Sequence, residues 1–245
     1  MSFFYHFGDY INMLAATFSR PEKRAIYFKR IMEEANAIGV DSLGIVAIIS
    51  VFVGMVTTIN TSYQLVSAFL PRKVIGEVVG TSVILELSPT ICCLVLAGKV
   101  GSNIATELGS MRVSEQIDAM DAMGVNSKGY LIFPKIIAAI VVIPLLILIS
   151  MGLSISAGIF IGKITGIVSP AQFIDGTRAT FQTYTFTFAL IKTFTFAFLI
   201  ASVSSYQGYF MSGGSIEVGK ASTRAVVYSC VLILLSDYLL AQLFL

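Results

Sequence analysis

A chain of 245 residues that is 56% hydrophobic and 12% charged falls outside the range of soluble globular domains, in which about a quarter of residues are charged. It reads as a polytopic membrane protein. A net charge of +2 gives no reason to expect a nucleic-acid partner, so the basic residues serve as topology signals.

Residues 1–38 are too short and too polar to span. Phe3, Phe7, Tyr10, Ile11, Leu14 and Phe18 follow helical spacing and precede Arg20, Lys23, Arg24, Lys29 and Arg30. That pattern predicts a helix lying at the headgroup level or packed on the rest of the protein, on the cytoplasmic side in either case. The stretch shows neither the order of a cleavable signal nor the Arg and Ser content of a transit peptide, which makes a bacterial inner membrane the expected location.

Residues 39–245 are predicted to form an all-α membrane domain of five transmembrane helices. The first covers about 42–63 and is followed by an external turn with Pro71, Arg72 and Lys73. The second covers about 80–100 and carries Pro89 as a kink. A polar amphipathic helix, about 104–124, separates it from the third span, 130–162, which contains Pro144. After an external segment, 163–185, come the fourth span at 186–205 and the fifth at 225–245. The fourth alternates Thr and Phe from Thr185 and again from Thr193, a strand-like period, but about 20 mostly apolar residues match a helix crossing a hydrocarbon core of about 30 Å.

Charge supports this order. Only Arg72, Lys73, Lys163 and Arg178 fall outside, while the basic residues of the N-terminal segment and Lys99, Arg112, Lys128, Lys135, Lys220 and Arg224 fall inside. The N-terminus is therefore expected in the cytoplasm and the C-terminus in the periplasm. Gly158, Gly162 and Gly166 recur every four residues and would admit a second helix, a self-contact included.

Three ionisable residues, Glu86, Lys192 and Asp237, are placed within spans, where each costs roughly 2.5–3.5 kcal/mol unless paired or hydrated. Counting about 1.5 Å per residue from the external ends puts them about 9, 9 and 12 Å deep, in one layer. They could form an ion-paired clasp, or a polar patch in a cavity that meets a charged headgroup while apolar walls meet acyl chains. Met55, Ile59 and Tyr63, four apart, could line such walls or simply pack.

Between the second and third spans, Val113, Ile117, Met120 and Gly124 fall on one helical stripe, with Glu115, Asp118 and Asp121 away from it. Such a helix suits a groove of a partner subunit. No catalytic constellation is visible, and Ser212-Gly-Gly-Ser215 lacks the context and lysine of a phosphate loop, so any ATP would bind elsewhere. Cys92, Cys93 and Cys230 lie in apolar runs and offer neither a disulfide framework nor metal spacing.

Several motifs stand out: Glu86-Leu-Ser-Pro89, Leu96-Ala-Gly-Lys-Val-Gly-Ser102, the run from Ala105 to Gln116 and Ala119 to Val125, with Leu190-Ile-Lys192 and Ala221 to Val227 further on. Together they resemble the MlaE/YrbE-type permeases of bacterial ABC lipid-transport systems. Asp118 to Gly124 is also similar to the loop by which ABC importer permeases contact their ATPase. The resemblance implies a non-catalytic permease subunit, 39–245, moving phospholipid between inner and outer membranes. It implies that Glu86, Lys192 and Asp237 serve as the family's charged positions. It further implies a coupling helix bearing Glu107, Arg112, Val113, Glu115, Ile117, Asp118, Met120, Asp121 and Gly124. Expected partners are a second copy, an ABC ATPase that binds ATP and magnesium, a periplasmic MCE-domain protein, a STAS-domain protein and a phospholipid. No cofactor or metal is expected in this chain. Some relatives carry Arg before the Glu, where this chain has Leu85. An ion-coupled carrier using Glu86 or Asp237 would instead show inverted repeats, which the sequence lacks; a lipid-modifying enzyme would need a nucleophile and base, and no convincing pair is present.

Overall fold

The computed structural model describes residues 2–18, 24–65 and 71–244, with side chains from 4–18, 27–65 and 71–244. Phe3, Arg20, Lys23, the Arg24 side chain and Leu245 lie outside the described side chains. Among the described residues all regular structure is helical. The elements are α1 (Ser2–Phe18), α2 (Arg24–Gln64), α3 (Lys73–Val113), α4 (Gln116–Ala122), α5 (Ser127–Ile164), α6 (Pro170–Ala179), α7 (Thr183–Tyr209) and α8 (Ser215–Phe244).

Five of these, α2, α3, α5, α7 and α8, are long and apolar enough to cross a membrane. Each exceeds the roughly 20 residues that a hydrocarbon core requires. The boundary expected at residue 38 falls inside α2, which runs unbroken from the basic segment into the first span. The second span begins before Gly80 and continues past Val100 to Val113. Two stretches of α3, Val83–Ile91 and Ala97–Gly101, wind as wider π-turns. The first contains Pro89, which has no N–H for an ordinary helical bond, so the expected kink is a widened turn.

In α7 the strand-like alternation is overruled by length and by local bonding. Thr187 and Thr193 donate their hydroxyls to the carbonyls of Thr183 and Ala189 at 2.9 and 2.8 Å, which accommodates β-branched residues within a helix. Segment 163–185, read from the sequence as external and carrying Pro170, Asp175 and Arg178, contains α6. Its start is a capping box. Ser169 Oγ accepts from the Gln172 N–H at 3.3 Å, Gln172 Oε1 accepts from the Ser169 N–H at 3.3 Å, and Pro170 opens the helix.

The chain forms two compact units. One comprises Met1–Ser42, Leu94–Ile143 and Thr195–Ser236; the other comprises Leu43–Cys93, Pro144–Phe194 and Asp237–Leu245. Every long helix contributes one segment to each unit. In the second unit, helices approach backbone to backbone at glycines. A Cβ on Gly54 would stand 2.0 Å from the Ser154 carbonyl oxygen, on Gly76 2.3 Å from that of Phe173, and on Gly176 2.1 Å from that of Lys73. Phe173, fully buried, fills the space between α3 and α6 with Ile75, Val79, Val83 and Val168.

The glycine series of α5 belongs to this packing. A Cβ on Gly158 would meet Thr58 Oγ1 at 2.7 Å, one on Gly162 would meet Val168 at 2.7 Å, and Gly166 terminates the helix at φ +68°. These contacts are within the chain: Gly158 admits α2, and Gly162 packs against the turn before α6.

In the first unit α1 rests on α7. Tyr10 and Ser202 hydroxyls bond at 2.8 Å, His6 Nδ1 bonds the Tyr206 hydroxyl at 2.9 Å, and Met13 is fully buried. Tyr5, Ile11 and Phe18 remain exposed on α1. Burial raises the Tyr10 hydroxyl pKa above its usual value, partly offset by the Ser202 bond.

Candidate functional site

The three residues predicted to share a layer meet in the second unit. Lys192 of α7 is fully buried, and an ammonium without water needs three acceptors for its three protons. It donates to Glu86 Oε2 at 2.8 Å and to the Leu85 carbonyl at 3.1 Å, and its third neighbour is the Asp237 carboxylate, whose Oδ1 stands 2.5 Å away in an ion pair. That carbonyl lies in the widened π-turn stretch that also carries Glu86 and Pro89, and Lys192 donates to it.

The two carboxylates are held differently. Asp237, 16% exposed, also accepts from Thr90 Oγ1 at 3.2 Å, whereas Glu86 is 46% exposed. With all three groups ionised the cluster carries one surplus negative charge, and the open carboxylate presents it. Position 85 contributes its backbone, so a leucine serves there as far as Lys192 is concerned. Of the expected wall, Met55 is half-buried, while Ile59 and Tyr63 are 43% and 83% exposed on the surface of the chain.

A second buried lysine lies in the first unit, and the topology count had treated it as a cytoplasmic charge. Lys135 of α5 is fully buried, with Glu34 Oε1 of α2 and Glu107 Oε2 of α3 each 2.6 Å from Nζ. Beside it, the Arg30 guanidinium stands 4.1 Å from the centre of the Tyr130 ring. Lys135 sits within the apolar run after Pro134, the same signal that had singled out Lys192. Glu107, placed on the coupling helix by resemblance, faces this lysine.

The amphipathic segment is not one helix. α3 ends at Val113, Glu115 adopts a left-handed conformation at φ 57°, and α4 is a separate helix from Gln116 to Ala122. The stripe built on uninterrupted helical spacing is therefore broken. Val113 is 39% exposed, Ile117 is fully buried and Met120 half-buried, so Ile117 packs within the chain. Asp118 and Asp121 are exposed, with Met123 at 72%. Arg112 Nη1 pairs with Asp118 Oδ1 at 2.7 Å across the break, and Gly124 closes the far end at φ +78°.

Residues 31–243 match the family described as Permease MlaE. The chain belongs to that family. A probable ABC transporter permease protein of Rickettsia bellii is 38% identical, over 89% of this chain and 84% of its own length. One from Synechocystis is 32% identical over 86% and 80%. The chloroplastic protein Trigalactosyldiacylglycerol 1 of Arabidopsis thaliana is 32% identical over 91% of this chain and 63% of its own. In MlaE terms the motifs quoted from the sequence lie on α3, α4, α7 and α8. The π-turn that carries Glu86 and the break at Glu115 were not legible in them. Nor was the Lys135 cluster, whose two carboxylates come from residues 28 and 101 positions away.

Proposed function

We propose that this MlaE permease is the non-catalytic membrane subunit of an ATP-driven lipid transporter. In this reading an ABC ATPase holds ATP and magnesium, and its closure is delivered through α4 to a lipid cavity between two copies of the chain. The observation that supports it best is α4 itself. A seven-residue helix with exposed carboxylates, anchored by buried Ile117, sits between two spanning helices. Such an element can take force from a soluble partner and pass it into the membrane domain.

The Lys192 cluster would then meet the headgroup. Its surplus negative charge and half-open Glu86 favour a headgroup with an ammonium, as in zwitterionic phospholipids. The plant relative bears the name of a galactolipid, which agrees with a lipid cargo. Met55, Ile59 and Tyr63, partly or fully open on the single chain, would face acyl chains once a second copy is present. The chain would lie in the bacterial inner membrane with its N-terminus and α1 at the cytoplasmic face and its C-terminus in the periplasm. An MCE-domain protein would receive or supply lipid there, and a STAS-domain protein would bind the ATPase.

Affinity purification on a tag at this chain tests the reading. An ABC ATPase and an MCE-domain protein should copurify with two copies of the chain, and native mass spectrometry should find bound phospholipid. Lipid transport by the chain alone, driven by a proton gradient without an ATPase, would establish the ion-coupled alternative in its place.

A further inference from the structure

Two carboxylates share the buried Lys135 ammonium, yet one would neutralise it. They come from different helices and differ in their access to water. The Glu34 side chain is 17% exposed and that of Glu107 is 51% exposed, although each stands 2.6 Å from Nζ. Glu34 therefore depends on Lys135, since withdrawing the lysine would strand a mostly buried charge. Glu107 can return to water at small cost.

The position of Glu107 gives that difference a direction. It lies on the last two turns of α3, before the left-handed residue Glu115 and α4. Arg112, on the same turns, holds Asp118 of α4 at 2.7 Å, so a displacement of α4 pulls on the end of α3. From there the charged path into the rest of the unit is Glu107 to Lys135 of α5 and on to Glu34 of α2. The stacking of Arg30 on Tyr130 joins α2 and α5 without α3. Losing Glu107 would thus leave the α2–α5 pair intact and remove only the charged link from α3 to Lys135.

Resting on the reading of α4 as the element that meets an ATPase, we propose that Lys135 is a positioning residue for transport. Glu34 anchors its ammonium, and Glu107 is the arm through which the movement of α4 reaches α2 and α5. The residue touches neither nucleotide nor lipid. Its role is to keep hydrolysis and lipid movement in step.

The test uses the complete complex with its ATPase and MCE partner, reconstituted in vesicles of phosphatidylethanolamine and phosphatidylglycerol. Transfer of a fluorescent phosphatidylethanolamine to acceptor vesicles and phosphate release are measured together. For Glu107→Gln, lipid moved per ATP hydrolysed should fall about tenfold, the scale of a typical coupling free energy. The melting midpoint of the detergent-solubilised complex should not change. Glu34→Gln should lower that midpoint. An unchanged ratio in Glu107→Gln overturns the proposal, and so does a parallel fall of both rates with the midpoint, which marks a merely structural contact. A wild-type complex that hydrolyses ATP without moving lipid overturns the transporter reading, and this proposal with it.

Discussion

Lys192 holds three different kinds of partner: an open carboxylate, a covered carboxylate and a backbone carbonyl. Removing the cation strands Asp237. Lys192→Met should therefore destabilise the purified chain by about 3–5 kcal/mol, the usual cost of orphaning one member of a buried pair, read as a lower midpoint in detergent melting. Glu86→Gln should behave differently. Glu86 is half-exposed and Asp237 remains on the lysine, so the stability loss should be below about 1 kcal/mol, while the lipid found by native mass spectrometry should lose its preference for ammonium-bearing headgroups. Leu85→Ala should leave the cluster intact, because only the carbonyl of residue 85 is used. These residues were legible in the sequence because a charge in an apolar run demands compensation, and counting depth from the helix ends was enough to suggest the partners. Lys135 obeyed the same rule and was missed because it lies near a helix start, where a basic residue also satisfies the inside-positive bias.

At the scale of the element, the segment after the second span shows how a periodic pattern misleads. Val113, Ile117, Met120 and Gly124 share a stripe only if helical geometry continues through Glu115, and it does not. A single residue in the left-handed region costs roughly 1–2 kcal/mol for a side chain with a Cβ, and no composition cue at Ser114-Glu115 announces it. Ile117→Asp should lower the melting midpoint by burying a charge, whereas Asp118→Ala with Asp121→Ala should leave the midpoint alone and weaken ATPase copurification. If Asp118 and Asp121 can be replaced with no loss of the ATPase, α4 is not its docking element. Glu115→Gly should stabilise the chain by about 1 kcal/mol or less, measured by the same melting assay. By contrast, the start of α6 was written plainly in Ser169-Pro-Ala-Gln172, a capping box that attention to spans alone passed over.

For the molecule as a whole, hydropathy and length gave the five spanning helices, and their interiors were placed correctly. Their ends were not, because helices that continue beyond the hydrocarbon region carry no hydropathic mark where they stop. The topology can be checked by thiol labelling. In a Cys230→Ser background, with Cys92 and Cys93 buried, Asp175→Cys should react with an impermeant maleimide from the periplasmic side. Asp118→Cys should react only after the membrane is permeabilised; the reverse pattern would invert the orientation.

The backbone contacts of Gly76 with Phe173 and of Gly176 with Lys73 limit how this end of the protein can be monitored. Because α3 and α6 touch through their main chains, neither can slide on the other without opening a gap that no side chain is there to fill. A spin label or fluorophore on the accessible side of α6 would consequently track the second membrane helix as though attached to it. That offers a solvent-reachable handle on a part of the protein that lipid otherwise hides.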